Sequence, residues 1–182
     1  MGNQQQTLAE FIKAVAFAAE KHRHQRRKDA AASPYINHPI GLANVLCHEA
    51  GITDVDVLCA AVLHDTIEDT ETTAAELEAE FGPRIAAVVL EVTDDTSLKR
   101  AERKQRQIEH APHISYEAKL VKLADKICNL RDVLDSPPAG WPVERKREYF
   151  DWAKNVIDGL RGTHSGLEAI FDALYARQPD LD

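Results

Sequence analysis

Cysteine is scarce in this chain of 182 residues: Cys47, Cys59 and Cys128 stand far apart and form no CxxC pair. They read as buried thiols in a reducing compartment. No unbroken apolar run reaches the roughly 18 residues that a transmembrane helix needs. The opening MGNQQQTLAEF has no basic stretch followed by an apolar one, so no secretory signal is read there, and the cytoplasm is the expected location. Positive charge is in deficit, with 22 Lys and Arg against 30 Asp and Glu and a net charge of −8. General nucleic-acid or membrane binding would need a broad basic face, so neither partner is expected. GxxxxGKS/T, GxGxxG, HExxH and GxSxG are all missing. Their absence disfavours a P-loop NTPase, a dinucleotide-binding Rossmann unit, a zincin protease and an α/β-hydrolase.

There is also no fixed-period repeat, no low-complexity tract and no sustained β-alternation, which leaves room for at most a short hairpin near Tyr35 or Val92. What is present is helical. A 44% hydrophobic and 29% charged composition suits an ordinary globular chain. A chain this long can bury a core without disulfides or structural metals. Thr7 with Glu10 makes a capping box, and the apolar spacing after it predicts a helix over residues 7–24. Further helices are expected from Pro39 to Gly51, from the Asp54 cap to Asp65, from the Thr73 cap to Gly82 and from Pro83 to Val92. Others are expected over 98–110, 115–134, 143–160 and 165–177. The segment SPPAGWP, 136–142, is the strongest breaker. The expectation is an all-α bundle of about eight to nine helices forming one domain over residues 1–182.

Four residues carry a chemical pattern: His38 in YINHP, the neighbours His64 and Asp65 in AAVLHDTIED, and Asp125 in VKLADKICNLRD. Two imidazoles and two carboxylates suit a divalent first-row ion with positions left for water or phosphate oxygen. Asp65 and Asp125 both follow apolar helical stretches, where an unpaired carboxylate is costly to bury. A single His on such a helix is usually a hydrogen-bonded core residue, and an HD dipeptide occurs by chance, so both readings stand on these four alone. Glu68 and Asp69 lie four residues after His64 and Asp65 and would share their face if the helix continued. They are either a solvated acidic helix end or groups that orient and deprotonate a water. The basic stretch KHRHQRRK, 21–28, leads into the loop before His38 and reads as a local phosphate funnel or as solvated surface.

Several blocks taken together resemble a known family: RRKD, PYINHPIGLA, AAVLHDTIEDTETT, FGPRIAAVVLEVTDD, KLVKLADKICNLRD and GWPVERKREYFDWA, in this order over residues 26–153. They are similar to the HD hydrolase domain of the RelA/SpoT family. GITD, EVTDD and the GWP stretch look like its small hydrolase-only branch, the metazoan SpoT homologue and the bacterial small alarmone hydrolases of the stringent response. The resemblance implies a single HD-domain helical bundle and a manganese-dependent enzyme, guanosine-3′,5′-bis(diphosphate) 3′-pyrophosphohydrolase. By position it implies His38, His64, Asp65 and Asp125 as metal ligands and Glu68 and Asp69 as the catalytic acids. It also implies Arg27, Lys28, Arg100, Asn129, Arg145 and Tyr149 as substrate contacts. Arg100 stands where that branch carries Lys, which keeps the charge and changes its geometry. The expected partner is a small nucleotide, with ppGpp or pppGpp first. Adenosine alarmones such as pppApp, the NADPH 2′-phosphate, and a non-enzymatic alarmone-binding module are the alternatives. Oligomeric state is not legible.

Overall fold

The structure, a computed structural model, describes residues 2–178 and 181. Among these it is all-α, with no strand, as the periodicity predicts. Eight full helices and one single turn follow in order: α1 (Gly2–Lys21), α2 (Asn37–Asn44), α3 (Val55–Leu63), the single turn α4 (Thr66–Asp69), α5 (Ala74–Val92), α6 (Arg100–His110), α7 (Tyr116–Asp135), α8 (Val143–Asp158) and α9 (Ser165–Tyr175). No described helix is long and apolar enough to cross a membrane.

Several predicted starts form as capping chemistry requires. The Asp54 carboxylate accepts the Asp56 N–H at 3.0 Å, Thr73 Oγ1 accepts that of Glu76 at 3.1 Å, and Ser115 Oγ accepts that of Ala118 at 3.2 Å. Thr7 lies inside α1 rather than at its start, because α1 already begins at Gly2 and no breaker lies between them. The two helices expected around Gly82 run on as one element with a kink there. Gly82 takes φ 82°, a conformation open to glycine, and Pro83 restarts the helix. The helix expected from Pro39 to Gly51 ends early in a π-turn, Val45–Glu49, whose i→i+5 bond runs from Ala50 N to Val45 O at 3.0 Å. On that turn Val45 and Leu46 face the core, whereas Cys47 is exposed, which corrects the expectation of three buried thiols.

α3 is apolar on nearly every side, and every residue over 59–63 is buried. A helix with no polar face belongs in the middle of a bundle, and α3 packs against α1, α2, α5 and α7. The fully buried Phe150 and Phe171 bring α8 and α9 into the core beside α7. The 136–142 breaker is tied down: Ala139 N–H donates to Lys28 O at 2.8 Å, and Pro138 forms an antiparallel bridge with Asp29. A second isolated bridge, Arg26 with Pro34, closes the basic loop near Tyr35, where a hairpin had room. The C-terminus of α3, the N-terminus of α2 and the middle of α7 therefore meet under a pinned basic loop.

Candidate metal centre and active site

The helix that carries His64 stops there. Asp65 takes φ −99° and ψ 0°, and one further turn, α4, resumes after it. The bond from Asp69 N to Asp65 O, 2.9 Å, holds this turn close to the helical path. His64 Nδ1–H donates to Ala61 O at 2.8 Å, which turns Nε2 into the site. That nitrogen is buried without a hydrogen-bond partner; it lies 2.9 Å from Asp65 Oδ2 but off the hydrogen-bonding direction. His38, near the start of α2, brings its ring centroid to 5.3 Å from that of His64. His38, His64 and Asp65 each offer a donor atom, and all three atoms lie within 4.8 Å of one another. Asp125, in the middle of α7, joins through His38, whose Nε2 is 3.2 Å from Asp125 Oδ1. An unpartnered, buried imidazole nitrogen among carboxylates is the chemistry a divalent cation requires.

The carboxylates are held ionised by different neighbours. Burial pushes the Asp65 pKa up, but His64 and then His38 outweigh it and hold the group well below the usual carboxylate range. Burial acts likewise on Asp125 and is outweighed by Lys126, whose Nζ sits 2.8 Å from Asp125 Oδ2, and by His38. Burial disfavours the charge of Lys126, yet Asp125 raises its pKa above the ordinary lysine value. At His64, burial lowers the pKa, but Asp65 and then Asp125 bring it up to about 9. Glu68 is pushed up to about 7 by burial, Asp94 and Asp65.

Glu68 and Asp69 hydrogen-bond to different partners. Glu68 Oε2 accepts the Asp94 backbone N–H at 3.1 Å, and Arg103 approaches Oε1 at 3.4 Å. Asp69 turns the other way and accepts Gln25 Nε2–H at 2.7 Å. Both line a cavity of about 190 Å³ together with His38, His64, Asp65 and Asp125.

A second cavity of about 310 Å³ adjoins it and shares Arg27, Tyr35, Asp69 and Asn129 with the first. Of the expected substrate contacts, Arg27, Lys28, Asn129 and Tyr149 line this cavity. Arg27 is paired with Asp132 and lies 5.6 Å from the Tyr35 ring. The amide of Asn129 is committed to Asp125 Oδ1 at 2.6 Å. Arg145 lies outside the cavity wall and sits 4.4 Å over the ring of Trp141, which does line it. Arg100 is exposed and lines neither cavity.

Sequence reasoning did not single out several residues of this region. Lys126, 3% exposed, was visible only as a lysine inside the apolar run LVKLADKIC. Tyr35, whose hydroxyl donates to Asp65 Oδ2, lay inside a quoted block without being chosen. Gln25, Asp132 and Trp141 also lay inside quoted stretches without being chosen, and the bonds that Asp132 and Gln25 make to Arg27 and Asp69 join segments distant in the chain.

The fold brings His38, His64 and Asp65 to one buried point with Asp125 beside His38, an arrangement that could hold a divalent cation, as in a metal-dependent HD-type hydrolase. The chain belongs to the HD-domain family, whose pattern matches residues 14–151. A divalent cation is the cofactor this family implies, and a small nucleotide is the substrate class of its near relatives. The Danio rerio protein named guanosine-3′,5′-bis(diphosphate) 3′-pyrophosphohydrolase MESH1 is 56% identical over 169 residues, which cover 93% of this chain and 94% of that protein. The Homo sapiens protein of the same name is 55% identical, covering 93% and 95%. A solved structure described as a metazoan orthologue of SpoT that hydrolyses ppGpp matches with a TM-score of 0.91 at 49% identity, covering 93% of this chain and 96% of that one.

Proposed function

We propose that this chain, acting as one HD-type unit in the cytoplasm, hydrolyses ppGpp and pppGpp to GDP and GTP, releasing the 3′-diphosphate as pyrophosphate. The observation that carries the reading is the pair of adjoining cavities. One is acidic and imidazole-lined, and the other is lined by Arg27, Lys28 and the Tyr149 and Trp141 rings. Near full-length similarity to proteins named for this activity supports it.

His38, His64, Asp65 and Asp125 would hold one divalent cation, Mn²⁺ in this reading. When bound, it supplies positive charge that acidifies water and offsets phosphate charge. Glu68 and Asp69 flank the place where a water would stand, orient it and take its proton. That water attacks the phosphorus next to the ribose 3′-oxygen. The bond from phosphorus to that oxygen breaks, and the oxygen leaves with a proton as the 3′-hydroxyl. Arg27 and Lys28, which line the second cavity, would offset charge on the diphosphate oxygens, with Arg145 behind the Trp141 ring as a further cation. Tyr149 and Trp141 offer rings against which a purine can lie, and Asn129 keeps Asp125 in register.

The purified protein with Mn²⁺ is expected to release pyrophosphate from ppGpp, and excess chelator is expected to stop it. Parallel assays with pppApp and NADPH read the base and phosphate preference. Binding of ppGpp with no turnover would mean a sensing module instead. Cation binding itself carries a pH signature. With its pKa near 9, His64 is protonated in the cation-free protein at neutral pH and must lose that proton to present Nε2. Affinity for Mn²⁺ is therefore expected to rise by about tenfold per pH unit up to about pH 9 and then level off. Calorimetric titration across that range checks this, and a pH-independent affinity would remove His64 from the ligand set.

A further inference from the structure

Asp69 does not stand alone against its cavity. Gln25 Nε2–H donates to Asp69 Oδ2 at 2.7 Å, and Gln25 Oε1 lies 2.6 Å from Nδ1 of His22. The direction of this chain follows from donor chemistry. A carboxylate only accepts, so the amide NH₂ of Gln25 must face Asp69 and its carbonyl must face His22. His22 Nδ1 therefore carries a proton and donates it to Gln25 Oε1. The backbone of Gln25 is fixed from both sides, since its N–H donates to His22 O at 2.9 Å and its carbonyl accepts Tyr35 N–H at 3.2 Å.

His22 is 2% exposed, and its Nε2 is buried with no hydrogen-bond partner. A ring kept only for packing would be better apolar, because an unpaired buried nitrogen costs free energy. The imidazole lies against Tyr35, centroids 4.8 Å apart at 36°, a contact that a phenyl ring would also make. What the imidazole adds is the Nδ1–H that orients Gln25.

We infer that Gln25, held by His22, is a positioning residue that fixes one oxygen of Asp69 and leaves the other facing the attacking water. The inference rests on Asp69 belonging to the acidic pair proposed above. Neither Gln25 nor His22 touches the reacting atoms; both act through Asp69.

The test is steady-state hydrolysis of ppGpp at saturating Mn²⁺, with bound metal and thermal midpoint measured for every variant. Gln25→Ala is expected to lower kcat by about 10- to 100-fold, the range for partners that orient a site group from outside, with KM and metal content close to the parent. His22→Phe keeps the ring against Tyr35 and removes the donor. It is expected to lower kcat by about tenfold while leaving the thermal midpoint equal or higher, which a purely structural histidine would not do. The pair acts in series, so the double variant should be no slower than Gln25→Ala alone. Adding Gln25→Ala to Asp69→Asn should likewise cost nothing further. An unchanged kcat in Gln25→Ala, or a double variant as slow as the product of the singles, would overturn the inference. If Asp69→Asn itself keeps full kcat, the assignment of the acidic pair fails instead, so the two failures are told apart.

Discussion

Replacing Asp125 with Ala is expected to lower turnover of ppGpp by about a thousandfold or more and to empty the cation site. The carboxylate has three partners: Lys126 at 2.8 Å, Asn129 at 2.6 Å and His38 at 3.2 Å. Losing it also leaves Lys126 charged, 3% exposed and unpaired, and breaking such a buried pair typically costs about 3–5 kcal/mol. A drop in activity from Asp125→Ala could therefore mix site loss with unfolding. Asp125→Asn separates them, because its amide oxygen can still accept from Lys126 while the negative charge is gone. That variant is expected to stay folded by circular dichroism, bind Mn²⁺ weakly and turn over almost nothing. Full activity in Asp125→Asn with metal still bound would remove Asp125 from the ligand set.

Glu68→Gln and Asp69→Asn are each expected to cut kcat by about 10²- to 10⁴-fold, the usual worth of a positioned proton acceptor, with metal content retained. Their environments make different predictions for pH. Glu68 is pushed up to about 7, first by burial and then by Asp94 and Asp65. A carboxylate must be ionised to accept a proton, so activity should climb with pH through the Glu68 pKa. Asp94→Asn removes a neighbouring negative charge, favours ionised Glu68 and should move that acid limb to lower pH. An acid limb that stays put in Asp94→Asn, while Glu68→Gln is inactive, would place the limiting titration elsewhere.

Much of this architecture can be read locally. Asp54, Thr73 and Ser115 cap helices because a short polar side chain ahead of an apolar 3.6-residue period satisfies orphan N–H groups wherever it occurs. Gly82 and Pro83 mark the kink for equally local reasons. His38, His64, Asp65 and Asp125 stood out because a carboxylate in an apolar helix is expensive to bury, and the family resemblance supplied the metal-binding reading over a hydrogen-bonded core. Arg100 is the weakest of the expected contacts: the resemblance supplied it, and the structure leaves it exposed and off both cavity walls.

The sequence by itself determined an all-α chain, several of its helix starts, the break at Gly82, and the donor types available for a cation. Those properties depend on neighbours within a few residues. Only the tertiary structure decided which way each side chain commits. Glu68 turns to Asp94 and Arg103, Asp69 to Gln25 across 44 residues, and Arg27 to Asp132 across 105. Helical periodicity says which face a residue occupies, but a hydrogen bond between distant segments exists only once packing brings them within about 3 Å, and no local pattern encodes that distance.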